Sequence, residues 1–133
     1  MTKAVDPQAL LARFVFPLPP IELKANRRMG QRWGGTQSLK SSYRTICDMI
    51  LLDKGRREGG VTVGSCHIIP TVYLGKGQRC DLPDLGSWCK TPIDALATGG
   101  WITTDSAACI KSFTAIPGRD AKNPRVESEL REY

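Results

Sequence analysis

Between Arg13 and Leu18 the apolar run Arg-Phe-Val-Phe-Pro-Leu reads as a short first strand, and Pro19-Pro20 ends it. Residues 1–12 before it read as a loose start. From Gln37 to about Lys54 the pattern changes. Leu39, Tyr43, Ile46, Cys47, Ile50 and Leu51 recur at steps of three and four, which predicts an amphipathic helix. Thr36 or Ser38 is placed to cap that helix and Gly55 to stop it. Val61 to Leu74 is rich in β-branched residues and predicts a long strand, interrupted at Pro70. Thr91-Pro92-Ile93-Asp94 reads as a helix start: a capping threonine, proline at the first position, an acid at the third. That helix ends at Gly99-Gly100. Ala107 to Ile116 predicts a strand and Pro117-Gly118-Arg119-Asp120 a turn. Arg125 to Tyr133 alternates, with Val126 and Leu130 opposed to Arg125, Glu127, Glu129 and Arg131.

The resulting order is β-α-β-α-β-β. Its natural closure is an α+β fold in one domain over residues 1–133, a mixed sheet with two helices packed on it. No repeat or low-complexity tract interrupts it. Leu10 to Pro20 is apolar but broken by Arg13 and three prolines, so it suits neither a membrane span nor a signal segment. Five cysteines, an odd number without a C-x-x-C pair, favour a reduced, cytoplasmic protein. Cys66, His67, Cys80 and Cys89 match no defensible zinc-ligand spacing.

Charge alters this picture in two places. The net charge is +6, which suits a polyanionic partner. A polar, basic loop runs from Ile21 to Thr36, with Asn26, Arg27, Arg28, Arg32 and Trp33 among glycines. Long basic loops of this kind tend to be functional. By contrast, Asp81 to Asp105 holds Asp81, Asp84, Asp94 and Asp105 with Lys90 as its one lysine. Two carboxylates about 4 Å apart repel by roughly 4 kcal/mol at an effective dielectric of 20. Acids gathered by a fold therefore share a cation, a proton or a basic partner, and a divalent hard cation is the economical answer. Asp81 and Asp84 fall between a strand and a helix, and Asp105 just after that helix. If the end of one strand neighbours the start of the next, the three converge. Lys90 and Asp94 are four apart and share a helical face if the helix restarts near Thr91.

Taken in order, these residues resemble the RusA-type Holliday-junction resolvases. That family runs Asp-x-Asp-Asn-Leu, then a Lys, then Asp-Ala-Leu, then Gly-x-Trp-x-Asp-Asp. Lys90 and Asp94-Ala95-Leu96 keep its four-residue step, Asp94 to Asp105 keeps its spacing, and Gly100-Trp101 falls in register. Pro19-Pro20 followed by Asn26-Arg27 is similar to its Pro-Pro…Asn-Arg opening. The likeness spans about Phe14 to Phe113. Two departures stand out. Asp84 follows Asp81 by three residues rather than two, with Lys90 correspondingly later, and Thr104 replaces the first acid of the final pair.

The resemblance implies a Mg²⁺-dependent endodeoxyribonuclease, with Mn²⁺ able to substitute, that resolves Holliday junctions by paired nicks in DNA recombination and repair. It implies Asp81, Asp84 and Asp105 as catalytic metal ligands, with Lys90 as the catalytic cation. A homodimer acting on a four-way junction in a bacterial or phage-infected cytoplasm follows, with no nucleotide cofactor and no membrane. Asn26, Arg27, Arg28, Arg32, Arg79 and Lys111, with Arg119, are candidates for backbone contacts on DNA. The alternatives are a flap or branched-DNA nuclease of the same fold, or a non-catalytic junction-binding protein.

Overall fold

The computed structural model describes residues 9–20, 33–59, 62–78, 85, 86 and 88–133, with side chains in the first helix from residue 38 onward. The observed elements are β1 (Leu10–Phe16), α1 (Trp33–Glu58), β2 (Cys66–Leu74), α2 (Lys90–Thr98), β3 (Ile110–Phe113), β4 (Ile116–Arg119) and β5 (Arg125–Glu132). This is the anticipated β-α-β-α-β-β order, with the fifth element split into β3 and β4. The sheet is mixed and runs β1-β5-β2-β3, with β4 continuing the β3 edge beside β2. β5 lies antiparallel to both β1 and β2, whereas β3 and β4 run parallel to β2. A parallel pair needs a crossover, and α2 sits within it.

One sheet face carries Phe14, Phe16, Ile68, Val72, Val126 and Leu130, all essentially inaccessible, and the helices bury it. Leu39, Tyr43, Cys47 and Leu51 supply α1's share of this core. Ile46 belongs to the same repeat yet is 44% exposed. The Tyr43 hydroxyl donates to the Pro17 carbonyl at 2.6 Å, tying α1 to the end of β1. Burial pushes the Tyr43 phenol far above its ordinary range and the neighbouring Cys47 thiol up to about 12. Cys47, Cys66, Cys89 and Cys109 are all buried.

The opposite face is charged and ordered by ion pairs. Arg13 of β1 lies directly across from Glu129 of β5 and bonds it at 3.0 Å, while Arg131 bonds the same carboxylate at 2.9 Å. Burial raises the Glu129 pKa, but the hydrogen bonds from the two guanidinium groups outweigh it and hold the carboxyl below its usual range. Val126 and Leu130 point inward, as their alternation requires.

Several boundaries differ from expectation. β1 already begins at Leu10 and ends before Pro17, so the start is ordered sooner than residue 12. α1 begins at Trp33, inside the stretch read as loop, and Thr36 and Ser38 fall within it rather than capping it. It also runs through Gly55, where the absent side chain faces Trp101, and stops at Gly59, which takes a left-handed φ of 70°. β2 begins at Cys66 rather than Val61 and passes through Pro70 unbroken. The Ile68 carbonyl accepts from Thr114 on the β3 side, and Pro70 faces the same way. Its missing N–H therefore falls at the gap between β3 and β4, not in the continuous β5 ladder. Pro117-Gly118-Arg119 is strand, not turn, because an edge strand tolerates proline and Gly118 lies where a Cβ would meet the Tyr73 ring at 3.0 Å.

Ser128 is buried on the core face opposite Pro70, and among the described residues its hydroxyl has no hydrogen-bond partner. Ser128→Ala removes an unsatisfied buried oxygen, so it is expected to raise stability by about 1 kcal/mol. Urea unfolding reads the outcome; a loss of that size would mean the hydroxyl is satisfied.

Candidate functional site

α2 starts where the sequence places a restart, but with a different cap. Cys89 is the N-cap and makes no side-chain cap hydrogen bond, while Thr91 is buried within the first turn. Pro92 sits in the first turn, where a missing N–H costs nothing. Asp94 lies beyond that turn, so the helix dipole is not its partner. Its partner is Lys90, whose Nζ contacts both carboxylate oxygens at 2.9 and 3.0 Å. The helical-face expectation for these two holds. The Lys90 side chain is 67% exposed, so the pair holds it only weakly.

Asp105 rides on the connector between α2 and β3. The connector is pinned at three places. Trp101 packs edge-on against Phe14 at 5.0 Å, and its carbonyl accepts from Val63 at 2.9 Å. The Thr103 N–H donates to the Val63 carbonyl at 3.1 Å. The Cys109 sulfur gathers the rest. Burial pushes this thiol up, but hydrogen bonds from the Thr103 hydroxyl and from the Thr103 and Thr104 backbone bring it below its ordinary value. Its neighbour Cys66, buried and beside the Cys109 sulfur, is pushed up to about 12. After Asp105, the Ser106 carbonyl accepts from Cys109 and Ile110, closing a turn into β3. Thr104, where the resemblance calls for an acid, uses its hydroxyl to accept from the Ser106 N–H at 3.3 Å.

These elements leave a cleft of about 290 Å³ lined by Lys90, Asp94, Asp105, Ser106, Gly86 and Phe113, with Ile93, Ala107 and Ile110. Among the described residues nothing pairs with the Asp105 carboxylate. No protein-family model and no curated protein matches this chain.

Asp81 and Asp84 lie outside the described residues, as do Asn26, Arg27, Arg28, Arg32 and Arg79. The route by which the acids were expected to meet needs correcting. β2 and β3 are parallel, with Cys66 beside Ile110, so the end of β2 and the start of β3 lie at opposite ends of the pair. Asp105 instead reaches Lys90, Asp94 and Gly86. Gly86 packs so tightly under Phe113 that a Cβ would come within 3.3 Å of the ring. Lys111 is exposed, donates to the Ala107 carbonyl at 3.3 Å and lies over the Tyr133 ring. Arg119 is committed to structure: it donates to the Gly75 and Gln78 carbonyls at 2.6 and 3.0 Å, holding the turn that precedes residue 79.

Among the described residues the side chains of the cleft able to ligate a metal, Asp94, Asp105 and Ser106, offer oxygen, which suits a hard divalent ion. Among the described residues no group of three His, Cys, Asp or Glu is disposed to hold a metal. Asp94 is already engaged by Lys90, so among the described residues Asp105 is the carboxylate left available in the cleft, and a metal ion there would need further ligands. Cys109, Ser106 and Phe113 shape the site but were not singled out from the sequence. A lone cysteine, a turn serine and a strand-end phenylalanine carry no pattern that marks them.

Proposed function

We propose that this chain is a divalent-metal-dependent, structure-selective endodeoxyribonuclease that resolves four-way DNA junctions, as the RusA-type resemblance suggests. The observation that carries the reading is the meeting of Asp105, a carboxylate with no partner among the described residues, with the Lys90–Asp94 pair in one cleft. Asp81 and Asp84 are the natural remaining ligands, since Asp84 precedes the cleft residue Gly86 by two positions. Bound there, Mg²⁺ would supply an activated water and charge relief on the phosphate.

The chain's own residues do the rest. Asp105, with Asp81 and Asp84, would hold the ion. Lys90 exchanges Asp94 for a phosphate oxygen at little cost, because exposed ion pairs contribute only about 0–1 kcal/mol. As a compact point charge it then faces the scissile phosphate or the departing 3′ oxygen. Asp94 keeps the ammonium at the cleft in the free protein. Lys90→Ala should accordingly change stability by less than about 1 kcal/mol while strongly slowing cleavage; a large fall in melting temperature would make Lys90 a structural residue instead.

A four-way junction is nearly two-fold symmetric and is nicked on two strands, whereas one chain offers one cleft. A C2 homodimer supplies two. Light scattering should give twice the 14.6 kDa chain mass at micromolar concentration, and a monomer there would remove the paired-nick scheme. The reading as a whole is tested by incubating the protein with synthetic four-way and linear duplex DNA, with and without Mg²⁺. Paired nicks in the junction alone, only with metal, are expected; preferred cleavage of flaps would favour the other nuclease. The threonine at position 104 favours one second reading, a junction-binding protein without chemistry, and binding with no nicks in Mg²⁺ or Mn²⁺ would establish it.

A further inference from the structure

The cleft does not end at Asp94. That residue also lines a second hollow of about 350 Å³, walled by Lys40, Ser41, Arg44, Thr45 and Thr91. Arg44 in turn lines a third, of about 680 Å³, which runs past Leu51 and Trp101 to Arg56. Asp94 is common to the cleft and the second hollow, and Arg44 to the second and third, so the three hollows follow one another along α1 and α2 as a trough beside the cleft. We infer that this trough is a DNA-backbone track, in which Lys40, Arg44 and Arg56 hold the phosphates of the strand leading to Asp105.

The charges support that occupant. The trough's two outer acids are already matched, Asp48 by Arg44 at 3.1 Å and Asp94 by Lys90 at 2.9 Å. Among the described residues Lys40 and Arg56 have no acidic partner, although neighbouring α1 cations do: Lys54 pairs with Glu58 and Arg57 with Asp53. Among the described cations of α1, the two without an acidic partner both line the trough, Lys40 in the second hollow and Arg56 in the third. Arg44 is braced by Asp48 and the Thr98 hydroxyl, which fixes its guanidinium midway. Ser41 adds a hydroxyl of the kind that contacts phosphate oxygens, whereas the Thr45 hydroxyl donates to the Ser41 carbonyl at 3.0 Å. Lys40 and Arg56 are sixteen residues apart on one helix, about 24 Å along its axis, or roughly seven nucleotide steps. The track rests on the nuclease reading and extends it, since it says how a strand approaches the cleft.

The test is the salt dependence of junction binding by the full chain, wild type against the double variant Lys40→Gln/Arg56→Gln. Lys122→Glu, in the turn between β4 and β5, changes net charge equally and serves as the control. Each phosphate contact contributes about one to the slope of log K against log salt. The double variant should therefore lose about two from that slope and bind about tenfold more weakly, with the melting temperature unchanged and the control like wild type. A wild-type slope and affinity in the double variant would overturn the track, as would an equal loss in Lys122→Glu. Wild-type nicking with Mg²⁺, measured on the same DNA, judges the nuclease reading separately: nicks with an unaltered double-variant slope would remove the track alone.

Discussion

Asp105→Asn is expected to abolish Mg²⁺-dependent nicking while leaving junction binding and the melting temperature near wild type. Asparagine keeps the shape and one oxygen but loses the charge that a hard cation requires. Substituting residues that merely orient a ligand commonly costs 10–100-fold, so losing a direct ligand should cost about 100-fold or more. Stability should be untouched, because the carboxylate is exposed and no described residue pairs with it. Gel-shift and nicking assays on the same preparation separate the outcomes. Full activity in Asp105→Asn would remove this carboxylate from the chemistry, and loss of binding would make it a contact residue.

Trp101→Ala should give the largest loss of stability. The indole is 9% exposed, lies edge-on to Phe14 and closes the connector over the sheet. Truncating a buried aromatic of this kind costs about 3–5 kcal/mol, from lost burial and the cavity left behind. Against a total stability of about 5–15 kcal/mol that is a large fraction. Trp101→Phe should recover a good part of it. The urea midpoint decides between these expectations, and an unchanged midpoint in Trp101→Ala would show that the backbone bonds to Val63 hold the connector without the ring. Because Asp105 follows four residues later on the same connector, a folded Trp101→Ala protein should also nick more slowly.

Elements with a strict apolar repeat were legible in the sequence. Val126 and Leu130 set the face of β5, and Tyr43, Cys47 and Leu51 set the face of α1, because burial imposes those periods directly. What escaped was set by partners far along the chain. Pro117 in β4 is acceptable only because that strand is an edge, and Pro70 in β2 only because its N–H side meets the β3–β4 gap. Neither fact is local. Parallel pairing of β2 with β3 is equally invisible in a single strand's pattern, and it displaced the route by which the acids were expected to meet. Within the site, the Lys90–Asp94 step was readable since helix geometry alone brings such residues together. The trough between α1 and α2 was not, because Lys40 and Arg56 look like any solvated helix cations until Asp48, Asp53 and Glu58 are seen to be taken by others.

Manganese offers the most direct look at the centre of this account. In crystals grown with Mn²⁺ and measured at its absorption edge, the anomalous peak should lie within about 2.3 Å of oxygens from Asp105, Asp81 and Asp84, beside Lys90. A peak bound by other residues, or none at saturating Mn²⁺ with the Asp105 carboxylate well ordered, would contradict it.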